Sequence, residues 1–211
     1  MLYLSGAITH TLLADVRADV GLMSQPGMGT FTAGNLHLQF RVWAADNGRF
    51  AQPDKWVAGD WLEWAAGLRR YRERCLFMVA PDCVGDAAAT LELSVPYLPT
   101  IRQLGYQAAY VSQNGATCES LPWDDFDCLF VGGDDAWKFS HASLLVLAEA
   151  KRRGKWTHMG RVNTIRRLRA CLATDFDSAD GTYLKYGPDT NWPKLCGFLD
   201  EINNGQIGMA A

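Results

Sequence analysis

Carboxylates and one amide stand directly after short apolar runs at several points of the chain. Asp46, Asp82, Gln113 and Asp180 each follow such a run, and the pair Gly132-Gly133 follows another. Carboxylates gathered in one site repel each other, and burial disfavours their charged form, so such a cluster is costly unless it binds a ligand or does chemistry. Asp46 or Asp82 on its own is equally well explained as a helix cap or a turn residue, and an acidic cluster such as Asp175, Asp177 and Asp180 is typical of a solvated loop. Their shared placement, rather than any single motif, therefore predicts an active site.

The apolar runs that precede these residues have the length of buried strands and alternate with helical patterns. We predict seven strands, over Val20–Met23, Arg41–Ala45, Leu76–Ala80, Gln107–Ser112, Asp127–Val131, Lys155–Met159 and Phe176–Ala179. An eighth is predicted within Thr30–Gln39. Strands that alternate with helices form parallel sheets, whose strands all end at one edge. The expected fold is a compact (β/α)8 TIM barrel, with an open parallel α/β sheet as the alternative.

Five segments with helical patterns supply the connections between strands. They are predicted over Trp56–Arg74, Asp86–Leu104, Phe139–Arg153, Asn163–Ala173 and Trp192–Ile202. The second contains Pro96 and Pro99, which must kink or divide it because proline lacks an N–H and clashes with the preceding turn. Asp86 and Ser140 are the expected N-caps of the second and third helices.

The composition is that of a soluble globular chain. Hydrophobic residues make up 48% of the 211 residues, charged residues 20%, and the formal net charge is −3. This balance predicts one domain over residues 1–211 and excludes a disordered chain, a collagen or a strongly basic nucleic-acid-binding tail. No apolar run approaches the roughly 18 residues that a membrane span requires. The six cysteines form no C-x-x-C pair, which predicts reduced thiols in the cytoplasm.

Several of these strand ends resemble motifs of one enzyme family, the tRNA-guanine transglycosylases and their DpdA-type relatives that act on DNA in phages and bacteria. The similar segments are Asp46–Phe50, Ala80–Cys83, Val111–Gly115, Phe130–Gly133, and His158–Val162 followed by a helix and Asp177–Asp180. They occur in the family's order between about residues 40 and 182. The resemblance implies a barrel that exchanges a nucleobase.

The resemblance also implies a role for each matching residue. Asp180 would be the nucleophile and Asp46 the general acid/base. Asp82, Gln113 and the backbone of Gly132 and Gly133 would bind the edge of the base, and Met159 would pack on its ring. Apart from these implied roles, Arg161 and Arg49 are predicted to contact the nucleic-acid backbone, although Arg49 stands where the family has a glycine.

The implied reaction replaces guanine in a polynucleotide with a 7-deazaguanine through a covalent aspartyl-glycosyl intermediate. A nucleosidase or hydrolase using the same pocket, and a non-catalytic nucleobase-binding accessory protein, remain as alternatives. DNA is favoured over tRNA because the family's cysteine-rich zinc site is missing, Cys196 being the sole cysteine after Cys171. The expectation is therefore no metal or cofactor, a DNA partner, no membrane, and a homodimer or accessory protein in the cytoplasm of a bacterium or a phage-infected host.

Of the ring-bearing residues near the predicted site, two tryptophans are expected to line it and one histidine is expected to have a structural role. Trp43, three residues before Asp46, and Trp137, after Gly133, are candidates for the wall of a base pocket. His158 lies on a predicted strand and is interpreted as a hydrogen-bonded structural histidine.

Overall fold

The computed structural model describes residues 1–6, 17–28, 40–51 and 53–203. Within these ranges eight parallel strands close into a barrel in the order of the chain, and the first strand is hydrogen-bonded to the last. The strands are β1 (Leu2–Ser5), β2 (Val20–Ser24), β3 (Trp43–Ala45), β4 (Cys75–Val79), β5 (Ala108–Ser112), β6 (Cys128–Val131), β7 (Trp156–Met159) and β8 (Ser178–Gly181). The predicted (β/α)8 TIM barrel is confirmed, and the open sheet is excluded.

One strand lies elsewhere than predicted. The barrel is completed by β1 at the start of the chain, whereas the predicted eighth strand, Thr30–Gln39, lies outside the described residues. Only four residues form β1, and three of them are apolar, so the run is too short to stand out by periodicity. Its partners β2 and β8 bury it on both sides, which is a tertiary effect that the local pattern does not contain.

The helices described between the strands are α1 (Ala58–Gly67), α2 (Ala87–Ser94), α3 (Leu98–Gln103), α4 (Asp135–Lys138), α5 (His141–Arg152), α6 (Ile165–Ala173) and α7 (Pro188–Asn203). Short 3-10 segments lie at Arg49–Ala51, Pro53–Lys55 and Arg69–Arg74. The predicted division of the helix at Pro96 and Pro99 is confirmed, since α2 ends before the first proline and α3 contains the second. Both predicted caps are also confirmed: Asp86 accepts a hydrogen bond from the N–H of Ala89 (3.0 Å), and Ser140 from that of Ser143 (3.1 Å).

The helix predicted over Trp56–Arg74 is shorter than expected. Helix α1 ends at Gly67, and Arg69–Arg74 continues as 3-10 turns. The N–H of Leu68 turns back to the carbonyl of Ala65 (3.1 Å), which tightens the last turn of the helix. The 3-10 turns then lead directly into β4, which begins at Cys75.

The alternation of side chains along each strand separates two hydrophobic cores. One fills the interior of the barrel and consists of Leu4, Met23, Ala44, Phe77, Val79, Ala109, Val111 and Cys128. The larger one lies between the outer face of the barrel and the helices. Because neighbours along a strand point to opposite faces, the same alternation decides which residues at the strand ends reach the barrel mouth.

Two further expectations concern the environment of the chain. All six cysteines are free in the structure. No helix in the described ranges combines the length and the apolar character needed to cross a bilayer.

Candidate active site

A cavity opens at the carboxyl ends of the barrel strands. It contains about 550 Å³ of space free of atoms, including its open mouth. Seven predicted site residues line it, namely Asp46, Asp82, Gln113, Gly132, Gly133, Arg161 and Asp180. Val79, Val111 and Phe130 provide apolar walls beside these polar groups.

Asp46 follows β3, and its backbone N–H donates to the carbonyl of Ser24 on the neighbouring strand (2.7 Å). Its carboxylate accepts a hydrogen bond from the N–H of Asn47 (2.7 Å). Burial, followed by the negative charges of Asp180 and Asp82, raises the pKa of Asp46 to about 7. A carboxyl group with such a pKa both donates and accepts protons near neutral pH, as a general acid/base requires.

Asp180 lies on β8 and points into the barrel. Its Oδ1 atom is hydrogen-bonded to Nε2 of His158 (3.0 Å) and accepts the backbone N–H of Arg161 (3.2 Å). Its backbone carbonyl accepts the N–H of Val162 (2.6 Å), which ties the end of β8 to the loop after β7. The carboxylate is therefore held in one orientation at the edge of the cavity.

Asp82 is held between two amide side chains. Asn47 donates to its Oδ1 (2.9 Å) and Gln113 to its Oδ2 (2.6 Å). Burial raises the pKa of Asp82, and these two hydrogen bonds oppose that change. Since a carboxylate oxygen accepts more than one hydrogen bond, each oxygen retains capacity for a ligand donor.

Gln113 is itself fixed, because its Oε1 accepts the N–H of Gly85 (2.9 Å). The amide therefore orients Asp82 and the loop after β4. One hydrogen of its amide nitrogen remains beyond the one given to Asp82.

The two glycines at the end of β6 leave no space for a side chain. A Cβ on Gly132 would lie 2.7 Å from Cγ1 of Val111, and one on Gly133 would lie 2.4 Å from Cδ1 of Trp137. Gly133 also has a φ of +75°, which favours glycine. The N–H of Gly132 donates to the carbonyl of Ser112 (3.0 Å), so the N–H of Gly133 is the one left for a ligand.

Arg161 adopts a left-handed backbone conformation, with a φ of +58°. This conformation directs its N–H to Asp180, while its guanidinium donates to the carbonyl of Gly133 and lies 4.9 Å from the ring centre of Phe50. Buried Lys138 supports the turn by donating to the carbonyl of Gly160 (2.7 Å). Burial, followed by the charge of Arg161, lowers the pKa of Lys138 to about 8.

Two predicted site residues do not line the cavity. Met159 is buried in the core between barrel and helices, because His158 before it points inward and neighbours alternate. Arg49 donates to the backbone carbonyl of Asp82 (2.6 Å) and so anchors that loop. The predicted aromatic walls are also wrong: Trp43 and Trp137 lie in the outer core, and the aromatic residues at the cavity are Phe50 and Phe130.

The strand-end pattern of the sequence does not reveal Asn47 or the role of His158. Asn47 is buried and connects the Asp46 loop to Asp82, a contact between positions 35 residues apart. His158 is hydrogen-bonded as expected, but one of its two partners is the predicted nucleophile, Asp180. His158 pairs with Ser178, which lies two residues before Asp180 on β8. Because side chains two apart on a strand share a face, His158 and Asp180 both point into the barrel.

Across the part of the chain that the structure describes, no group of three or more histidine, cysteine, aspartate or glutamate side chains is placed to hold a metal ion.

A closed eight-stranded parallel barrel with a polar cavity at its carboxyl ends defines the class of this protein as a TIM barrel of the enzyme-like type. A solved structure of a member of the enolase superfamily from Listeria innocua is similar to it, with a TM-score of 0.51 and 14% sequence identity. The similarity covers 85% of this chain and 49% of that protein, so the chain spans about half its length. At this identity the likeness shows the fold alone. No protein-family model matches the chain, and no curated protein matches it.

These findings overturn the expected membership in the tRNA-guanine transglycosylase family. No model of that family matches, and the structural likeness is to a barrel of the enolase superfamily. The segments that suggested the family are loops of four or five residues at strand ends. TIM barrels in general place polar residues and glycines there, so these matches follow from the fold.

Proposed function

We propose that this barrel breaks and re-forms the bond between a guanine base and its sugar in a polynucleotide. The observation that supports this most strongly is the pair Asp46 and Asp180 on one cavity, with the charge of Asp180 contributing to the raised pKa of Asp46. Glycosidic chemistry with retention requires two carboxyl groups on one cavity, one as nucleophile and one as acid/base, and the raised pKa of Asp46 suits the second role.

In the first step Oδ2 of Asp180 attacks C1′ of the sugar. A bond forms between these atoms as the C1′–N9 bond breaks, and its electron pair leaves with the base. Protonated Asp46 donates its proton to the departing base. The transition state resembles an oxocarbenium ion, whose positive charge the Asp180 carboxylate stabilises.

In the second step a new base enters and the reaction reverses. Ionised Asp46 accepts the N–H proton of the incoming base, whose nitrogen attacks C1′ and displaces the carboxylate of Asp180. Both carboxyl groups return to their initial states. No oxidant, reductant or other co-reactant is needed.

The cavity wall matches the hydrogen-bonding edge of guanine. The oxygens of Asp82 accept from N1–H and the 2-amino group, and the N–H of Gly133 and the remaining amide hydrogen of Gln113 donate to O6. Val79, Val111 and Phe130 contact the flat faces of the ring. All of these polar contacts involve the six-membered ring, so a 7-deazaguanine satisfies them equally and is the proposed incoming base.

DNA is the proposed polynucleotide. Arg161, at the cavity wall, and Lys185, in the adjoining lobe of the mouth, are cations near the place where the sugar must lie. The target base is first rotated out of its stack, at a cost of a few kcal/mol that the pocket contacts offset.

The test uses single-stranded DNA, duplex DNA and tRNA, each carrying isotope-labelled guanine. The protein is incubated with each in the presence of excess unlabelled guanine or a 7-deazaguanine, and release of label is measured. Wild type is expected to exchange label into solution. Asp180→Ala is expected to abolish exchange, and Asp46→Ala to lower its rate on the order of 100- to 10,000-fold.

Asp125→Ala is the matched control, because Asp125 is exposed and lies outside the cavity. It is expected to exchange label at the wild-type rate. Release of label without incorporation of the new base would replace the proposal with hydrolysis. Binding without any release from the three polynucleotides would replace it with a non-catalytic base-binding protein.

A further inference from the structure

A column of four polar or amphipathic side chains leads from the barrel interior to the cavity. Trp156 and His158 lie on β7, and Ser178 and Asp180 lie on β8, each pair separated by one residue so that both members point inward. The indole Nε1 of Trp156 donates to Oγ of Ser178 (2.9 Å), which bonds Nδ1 of His158 (2.8 Å). Nε2 of His158 bonds Oδ1 of Asp180 (3.0 Å).

Hydrogen-bond counting fixes the direction of this chain. An indole N–H only donates, so the oxygen of Ser178 accepts from Trp156 and its one hydroxyl hydrogen is free to donate to His158. Nδ1 of His158 is then an acceptor, which places the ring proton on Nε2, facing Asp180. The opposite tautomer would put the bare Nε2 against a carboxylate oxygen and leave the serine hydrogen without an acceptor, in a site where His158 and Ser178 are fully buried.

We infer that His158 is a neutral Nε2–H tautomer that acts as a positioning residue for Asp180. Its N–H and that of Arg161 both donate to Oδ1. In the described part of the chain no donor bonds Oδ2, so this atom is the one that attacks. Phe77 and Phe130, whose ring centres lie 5.0 and 4.6 Å from that of His158, fix the plane of the imidazole and keep water away from it.

The inference deepens the proposed function and rests on it for the role of Asp180. Without the column, either oxygen of the carboxylate could turn toward the sugar, and attack would require an additional ordering step. Since a hydrogen bond to a charged group is stronger than one between neutral groups, loss of the His158 donor should slow attack on the order of 10- to 100-fold.

The first test reads the tautomer directly and does not depend on activity. The full-length protein is labelled with ¹⁵N-histidine, and long-range ¹H–¹⁵N spectra are recorded at neutral pH. The chain has four histidines, and the spectrum of His158→Gln identifies the signal of His158. We expect a protonated Nε2 and an unprotonated Nδ1. A protonated Nδ1, alone or in an imidazolium, would overturn the inference.

The second test measures single-turnover formation of the protein–DNA adduct in two variants. His158→Gln keeps an amide N–H that can reach Asp180 and is expected to retain most of the rate, whereas His158→Leu is expected to lose it by the factor given above. His141→Gln, at an exposed histidine on α5, is the control. Equal rates in the Gln and Leu variants would overturn the inference.

The two proposals fail separately. An Nε2–H signal in a protein that exchanges no base supports the tautomer of His158 and its hydrogen bond to Asp180, and overturns the proposed function. If His158→Leu does not fold, the spectrum of the wild type still decides between the tautomers.

Discussion

The perturbed carboxyl group of Asp46 has a consequence for stability that is measurable without any substrate. Its pKa is raised from 3.8 to about 7 in the folded protein, chiefly by burial and then by the charges of Asp180 and Asp82. Between these two values the folded state holds a proton that the unfolded chain has lost. Raising the pH through this window therefore favours unfolding.

The magnitude follows from the shift. Roughly three pKa units at about 1.4 kcal/mol each give at most ~4 kcal/mol of lost stability above pH 7, and none below pH 4. Asp46→Asn does not ionise, and its side-chain oxygen still accepts the N–H of Asn47. We expect the stability advantage of the variant over wild type to grow by about 2–3 kcal/mol between pH 5 and pH 8.

Urea unfolding followed by tryptophan fluorescence at pH 5, 6, 7 and 8 measures this difference, with Asp125→Asn as the exposed control. The control should track the wild type at every pH. A constant offset between Asp46→Asn and wild type across the range would refute the raised pKa and, with it, the electrostatic basis for assigning Asp46 as the acid/base.

Three further predictions concern the same cavity. The single-turnover rate of adduct formation should fall about tenfold per pH unit above about pH 7, because the first step needs protonated Asp46; a rate that keeps rising with pH above 7 would contradict this role. Gly132→Ala should lower the free energy of unfolding, measured in urea, by about 1–3 kcal/mol, because its Cβ would lie 2.7 Å from Val111 and 2.8 Å from the Gln113 amide. As the control, Gly197→Ala, in open space on α7, should raise it by about 0.5–1 kcal/mol. Asp82→Asn should lower the preference for guanine over hypoxanthine, which lacks the 2-amino group, on the order of 10-fold or more when both affinities are measured by calorimetry. An unchanged preference would remove Asp82 from base recognition.

The barrel could be predicted from the sequence because its signals are local. Apolar runs such as Leu76–Ala80 end at turn residues, and caps such as Asp86 and Ser140 mark the starts of helices. The strand β1 could not, because four residues carry too little pattern and its burial comes from β2 and β8.

The residues of the cavity could be predicted from the rule that the carboxyl ends of all strands of a parallel barrel lie at one mouth. That rule correctly brought Asp46, Asp82 and Asp180 to one place. It does not say which way a side chain points, and so Met159 was expected in the cavity where its neighbour His158 contacts Asp180 instead. Alternation along β7 gives that information only once one residue is known to point into the barrel, and the pairing of β7 with β8 shows which residue does.

Family membership could not be read from these loops. Segments such as Ala80–Cys83 and Phe130–Gly133 are short, and their residue types are those that barrel mouths favour in general. The proposal of base exchange is supported instead by three carboxylates at one cavity, the two amide side chains that hold Asp82, and the glycine pair after β6.

The central claim is a covalent bond between Asp180 and the sugar of a polynucleotide. Mass spectrometry of the protein, denatured and digested after brief reaction with single-stranded DNA containing guanine, tests it most directly. We predict a peptide that carries an abasic nucleotide on Asp180 in the wild type and that is missing in Asp180→Asn. An adduct mapped to another residue, or efficient base exchange by Asp180→Asn, would contradict it.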